Sequence, residues 1–88
     1  MRFQFDPRKA ASNLKKHGVS FADTEGVFFD PLAIHQTDSN PEGEERFVAI
    51  GMGSAGQILV VVYTLRGEDI RLISARRATR REVKTYET

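Results

Sequence analysis

A chain of 88 residues, 40% apolar and 28% charged, has room for one domain and one core, and its composition is that of a folded chain rather than a disordered one. The absence of Cys excludes disulfides, thiolate zinc sites and cysteine nucleophiles. The net charge of +1 conceals basic stretches at residues 1–19 and 71–84 around an acidic stretch at residues 20–46, and local field decides whether a polyanion is attracted.

Phe3 and Phe5 alternate with polar neighbours, the period of a short strand. Asp6-Pro7 follows as an N-cap and a proline at the first helical position, where its missing N–H costs nothing. The helix is expected to run to about His17, with Ala10, Leu14 and His17 turned inward and Gly18 as the left-handed residue that ends it. Ser20 opens a second helix, with Asp23 three residues on as a weak capping-box partner. Phe21, Ala22, Glu25 and Phe28 form its stripe, which Val27 and Phe29 widen. Asp30-Pro31 stops it, because a residue before proline avoids the helical conformation.

Residues 32–37 read as a strand, with Ala33, His35 and Thr37 opposite Leu32, Ile34 and Gln36. Residues 38–44 form a turn-rich acidic loop. Residues 47–50 make a third strand, and the glycines of residues 51–56 a hairpin connection. Residues 58–63, β-branched and apolar on both faces, are expected to be a central strand covered on both sides. This is also the longest apolar run, too short to span a bilayer. A turn at residues 66–69, a last strand at residues 70–75 and a final helix from about Arg76 to Glu87 complete the chain. The order β-α-α-β-β-β-β-α describes an α+β fold, a mainly antiparallel sheet packed by helices in a single domain over residues 1–88. Residues 1–7 lack the apolar stretch of a signal peptide, so a cytoplasmic location is expected.

Arg71 alternates with Ile70 and Leu72 and so leaves the core on the opposite sheet face, where its planar fork suits a phosphate. A strand arginine that caps the sheet edge or pairs with an acid explains it as well. Arg77, Arg80, Arg81 and Lys84 fall on one helical stripe, either a solvated face or a surface that attracts RNA or an acidic partner. The acids Asp38, Glu42, Glu44 and Glu45 lack the ordered spacing of a calcium loop, and Gly51, Gly53 and Gly56 precede no Gly-Lys-Ser/Thr, so neither a metal nor a phosphate loop is indicated.

Several segments match one family in order. Phe5-Asp6-Pro7, Lys9-Ala10, Asn13 and the run from Lys16 through His17, Gly18, Val19 and Ser20 to Phe21 resemble the opening of BrnT toxins. Val27-Phe28 and Asp30-Pro31 continue the pattern. Glu44-Glu45-Arg46, Ile50-Gly51, Val61-Val62-Tyr63-Thr64, Arg66 and the run from Ile70 to Arg76 resemble the middle and end; Glu82 and Tyr86-Glu87 match the closing helix. The chain departs at Phe5, where the family often has Trp, and at Gln57 and Val83, where basic residues are common.

The resemblance implies a RelE-like ribonuclease of a type II toxin–antitoxin pair that inhibits translation, working without metal or other cofactor. Its implied partners are RNA and a BrnA-like ribbon-helix-helix antitoxin, in a 2:2 heterotetramer that meets DNA only through the antitoxin. Metal-free cleavage by the RNA's own 2′-hydroxyl needs a base, an acid and cations on the phosphate, and positioning with electrostatics supplies most of the rate. The candidate catalytic residues are Arg71, Arg76, Glu82, Tyr86 and His17. Glu82 and Tyr86 share a helix face, with Glu82 as acceptor, while His17 suits a helix cap or core position better than catalysis. Lys16, Arg66, Arg77, Arg80, Arg81 and Lys84 are the candidate RNA contacts; Tyr63 and His35 read as structural. The alternative is a non-catalytic module that only binds nucleic acid or an antitoxin.

Overall fold

Residues 1–38, 43 and 45–88 are described by the structure, a computed structural model, so most of the expected acidic loop lies outside the described residues, and its first residue, Asp38, belongs to a strand. Strand β1 (Phe3–Gln4) leads to helix α1 (Pro7–His17), a 3₁₀ turn (Phe21–Thr24) and helix α2 (Glu25–Phe29). Strands β2 (Ile34–Asp38), β3 (Arg46–Met52), β4 (Ile58–Arg66) and β5 (Asp69–Arg77) follow, and helix α3 (Arg80–Glu87) closes the chain. The sheet order is β1-β5-β4-β3-β2, antiparallel except where β1 runs parallel to β5. The α+β class and the element order are as expected. The second helix, however, divides into the 3₁₀ turn and α2, with Ser20 Oγ accepting from the Ala22 amide at 3.2 Å.

Helix α1 begins and ends where the sequence placed its signals. Asp6 accepts from the Arg8 amide at 2.8 Å, and Gly18 adopts φ 70° while its N–H reaches the Leu14 carbonyl. Any residue with a β-carbon is strained at that φ. The buried face differs from expectation: Leu14 is 52% exposed and His17 is exposed, while Asn13 is buried. The cause lies in the sheet. Strand β1 pairs with β5 only at Ile70 and Arg71, so farther along that edge β5 offers backbone groups without a strand partner. The Asn13 amide fills the gap, donating to the Ala75 and Val19 carbonyls at 2.8 and 3.1 Å and accepting from the Ala75 N–H at 3.0 Å.

Alternation along the strands sorts the two faces. On the first lie Ala49, Leu59, Val61, Tyr63, Leu72 and Ala75, which form the core with Val19, Phe21 and Val27 from the helical segment. Gly51 sits in this layer because a β-carbon there would lie 2.9 Å from Ala33 Cβ and 3.0 Å from Val27 Cγ1. On the second face lie Arg46, Val48, Ile50, Val60, Val62, Thr64, Arg71, Ser74 and Arg76. Val60 is only 5% exposed, so the central strand is indeed covered on both sides there. A bulge between Val62 and Tyr63 leaves Ile73 of β5 as the extra residue.

The final helix starts later than expected. Thr79 and Glu82 form a reciprocal capping box, Thr79 Oγ1 accepting from the Glu82 amide and Glu82 Oε1 from the Thr79 amide. Arg76 and Arg77 therefore belong to β5. Among the described residues, no helix is long and apolar enough to cross a membrane.

Candidate functional site

The second face of the sheet carries the basic side chains in a defined order. Register pairs Gln4 with Arg71, Arg71 with Thr64 and Arg46 with Asp38, and carrying the β3–β4 alternation one residue past Phe47 and Tyr63 aligns Arg46 with Thr64 in one row across the sheet. Farther along, Arg76 lies opposite Val60 and so on the same face, about 13 Å from the first row at four residues of strand rise. Between the two rows run Ser74, Val62, Val48 and Gln36. Arg46, Arg71 and Arg76 are all partly buried.

Arg76 is locked in place. Its Nη1 and Nη2 donate to Glu82 Oε1 and Oε2 at 2.7 and 2.8 Å, a forked pair that also draws α3 over this face. The Arg76 guanidinium is the main reason the Glu82 carboxyl is held at about 2, against the opposing effect of burial and with help from the Thr79 amide. Bonding to Glu82 raises Arg76 further above its already high value. Glu82 is thus an anion at neutral pH that aims Arg76 and caps α3.

The expected pairing of Tyr86 with Glu82 is not formed; the Glu82 oxygens accept from Arg76 and the Thr79 amide. Tyr86 instead donates to Asp30 Oδ2 at 2.7 Å. Asp30 also accepts from the Met52 amide at 2.8 Å and from the Leu32 amide at 2.9 Å. Met52 lies beyond the last pairing of β3 with β2, at Ile50, so its N–H is open on that edge and Asp30 closes it. Desolvation pushes the Asp30 carboxyl up, but these three donors outweigh it and hold the group below its ordinary value. The bond to Asp30 raises the Tyr86 hydroxyl. In the sequence Asp30-Pro31 stops a helix and carries part of the family resemblance; the acceptor role of Asp30 depends on an open strand edge 22 residues away.

The remaining candidates are dispersed. Lys16 and His17 are exposed on the last turn of α1, and among the described residues no hydrogen bond joins either to the arginines of the sheet. Arg77 alternates with Arg76 onto the first face and cannot share a helical stripe with Arg80, Arg81 and Lys84, which are exposed on α3. Arg66 lies on the second face beside the row of Arg71 and Thr64. His35 lies on the first face, its Nδ1 2.9 Å from the Tyr63 hydroxyl, within an aromatic cluster where Tyr63 also packs on Phe28 and Phe47. Burial raises the Tyr63 hydroxyl. A groove of about 540 Å³ opens elsewhere on the molecule, lined by Met1, Phe5, Phe21, Phe29 and others, and is mainly apolar. No group of three or more His, Asp or Glu among the described residues is placed to hold a metal ion.

Comparison with known proteins connects this face to a chemistry. The family model described as the ribonuclease toxin BrnT of type II toxin–antitoxin systems matches residues 5–82. The crystal structure of the Brucella abortus ribonuclease toxin BrnT superposes with a TM-score of 0.69 at 28% identity, over 91% of this chain and 99% of that one. Comparison with curated proteins yields no match. With the family model spanning nearly the whole chain and the fold agreeing, the chain belongs to the BrnT family of ribonuclease toxins of type II toxin–antitoxin systems.

Proposed function

We propose that the chain is an endoribonuclease that cleaves RNA on the second face of its sheet, without a metal ion, and so inhibits translation. The observation that carries this assignment is the placement of Arg71 and Arg76 on one face, with Arg76 held rigidly by Glu82. In this chemistry the 2′-hydroxyl attacks the adjacent phosphorus in line and the bond to the 5′-oxygen breaks. The attacking oxygen loses a proton and the leaving oxygen gains one. Negative charge accumulates on the phosphoryl oxygens in the transition state, and preorganised guanidinium groups stabilise it where it forms.

In this reading Arg71 binds the scissile phosphate and Arg76 the developing charge. Glu82 and Tyr86 act as positioning residues, Glu82 by aiming Arg76 and Tyr86 by fixing the end of α3 through Asp30. Lys16 and His17, exposed on the last turn of α1 and, among the described residues, hydrogen-bonded to neither arginine, serve with the outlying basic residues. Arg66, Arg77, Arg80, Arg81 and Lys84 supply the wider field that draws RNA to the protein. All residues act as one toxin domain.

Membership of the family brings an antitoxin as partner. We take it to be a BrnA-like ribbon-helix-helix protein that covers this face and joins two toxins in a 2:2 assembly in the cytoplasm, contacting DNA on its own account. Light scattering on the co-expressed pair measures the stoichiometry. The enzymatic assignment is tested by comparing RNA cleavage by the parent and by Arg71→Ala, with binding measured alongside. Loss of cleavage in the folded variant supports it. Binding without cleavage in the parent favours a non-catalytic RNA-binding module.

A further inference from the structure

Arg46 stands out once the strands are in register. The β3–β4 pairing ends at Phe47 and Tyr63, and continuing its alternation by one residue sets Arg46 beside Thr64, which pairs with Arg71 on β5, so the two arginines flank one threonine on the second face. Two strand spacings separate their Cα atoms by about 10 Å. Both are partly buried. Among the described residues neither makes a hydrogen bond or ion pair, although acids stand close by in the register. Asp38 lies directly opposite Arg46 without pairing with it. Asp69, on the strand of Arg71, is committed to Gln4 at 2.7 Å and Arg2 at 3.5 Å.

The ground between the two arginines is tied down by a hydrogen bond. Thr64 is buried and donates its hydroxyl to the Glu45 carbonyl at 2.7 Å, which anchors the chain immediately before Arg46. Partly buried guanidinium groups whose donors are unfilled favour an anion that can accept from both.

We infer that Arg46 and Arg71 grip a single phosphodiester of the RNA from its two sides, above Thr64. This inference rests on the chain acting on RNA and adds a second phosphate-binding residue from a different strand. Sharing one phosphate has a measurable signature. Removing either arginine leaves that phosphate partly neutralised, so the two losses are not independent.

The test is fluorescence anisotropy with a 2′-O-methylated single-stranded oligoribonucleotide, which lacks the attacking hydroxyl, at salt concentrations from about 50 to 200 mM. Arg46→Ala and Arg71→Ala are each expected to weaken binding roughly tenfold. The double variant should lose less than the product of the two, and the salt slope should fall by about 0.7, the value for one phosphate on a single strand. Arg46→Lys, which keeps the charge and loses the fork, should bind between the parent and Arg46→Ala, and it carries the test if Arg46→Ala fails to fold. Parent-like affinity in folded Arg46→Ala, or independent losses with a slope change of about 1.4, would overturn the shared grip. A parent that neither binds nor cleaves RNA would overturn the ribonuclease reading itself, whereas a parent that cleaves while Arg46→Ala binds equally well overturns only the grip.

Discussion

Tyr86 donates to Asp30 across 2.7 Å, joining α3, which covers the second face of the sheet, to the end of α2, which packs on the first. The bond passes around the edge of β3, where the Met52 amide meets the same carboxylate oxygen. Asp30→Ala orphans that amide, the Leu32 amide and the Tyr86 hydroxyl together. It is expected to cost about 2 kcal/mol and to lower the melting temperature by roughly 10 °C. Tyr86→Phe leaves both amides paired and should cost clearly less. Thermal melts of the two variants check the order, and equal losses would show that the amides do not depend on Asp30.

The Arg76–Glu82 pair makes stability depend on pH in a defined window. Glu82 is held at about 2 in the folded protein, against an ordinary value of 4.5. Its contribution is therefore fully present above pH 4.5 and is lost progressively as pH falls toward 2. Urea midpoints at about pH 7 and about pH 3 should fall more for the parent than for Glu82→Gln, which has no proton to take up. An identical pH response in the two proteins would remove Glu82 from the account. Arg76→Ala should flatten the response in the same direction but less fully, because the Thr79 bonds to Glu82 remain.

Asn13 is the polar group on which α1 docks. Asn13→Leu leaves the Ala75 N–H and two carbonyls without their partner and should cost about 3 kcal/mol, a fall of roughly 10–20 °C in melting temperature. Asn13→Asp should do no better, because a carboxylate can accept from the Ala75 N–H but cannot donate to the Val19 and Ala75 carbonyls. A thermal melt of Asn13→Asp within a few degrees of the parent would contradict the edge-filling role.

What could be read from the sequence was what depends on near neighbours. The Asp6-Pro7 start of α1, its Gly18 stop, the alternation that turns Arg71 away from the core and the central position of β4 all rest on local patterns, and the structure has them. The inward face of α1 was misread because an open strand edge, invisible in the helix's own residues, rewards an amide over a leucine. The basic stripe was misread because Thr79 and Glu82, a capping box present in the sequence, start α3 after Arg77. Asp30 and Arg46 were not seen as site residues at all. Their significance comes from strand register, which brings together residues far apart in the chain.

The most direct measurement of the central claim is incubation of the purified, antitoxin-free protein with end-labelled RNA in excess EDTA, followed by analysis of the product ends. The predicted result is fragments ending in 2′,3′-cyclic phosphate with 5′-hydroxyl partners, at a rate that falls about 100-fold or more in Arg71→Ala. Cleavage abolished by EDTA, products bearing 5′-phosphates, or intact RNA from protein shown to be folded would contradict a metal-independent ribonuclease acting on this face of the sheet.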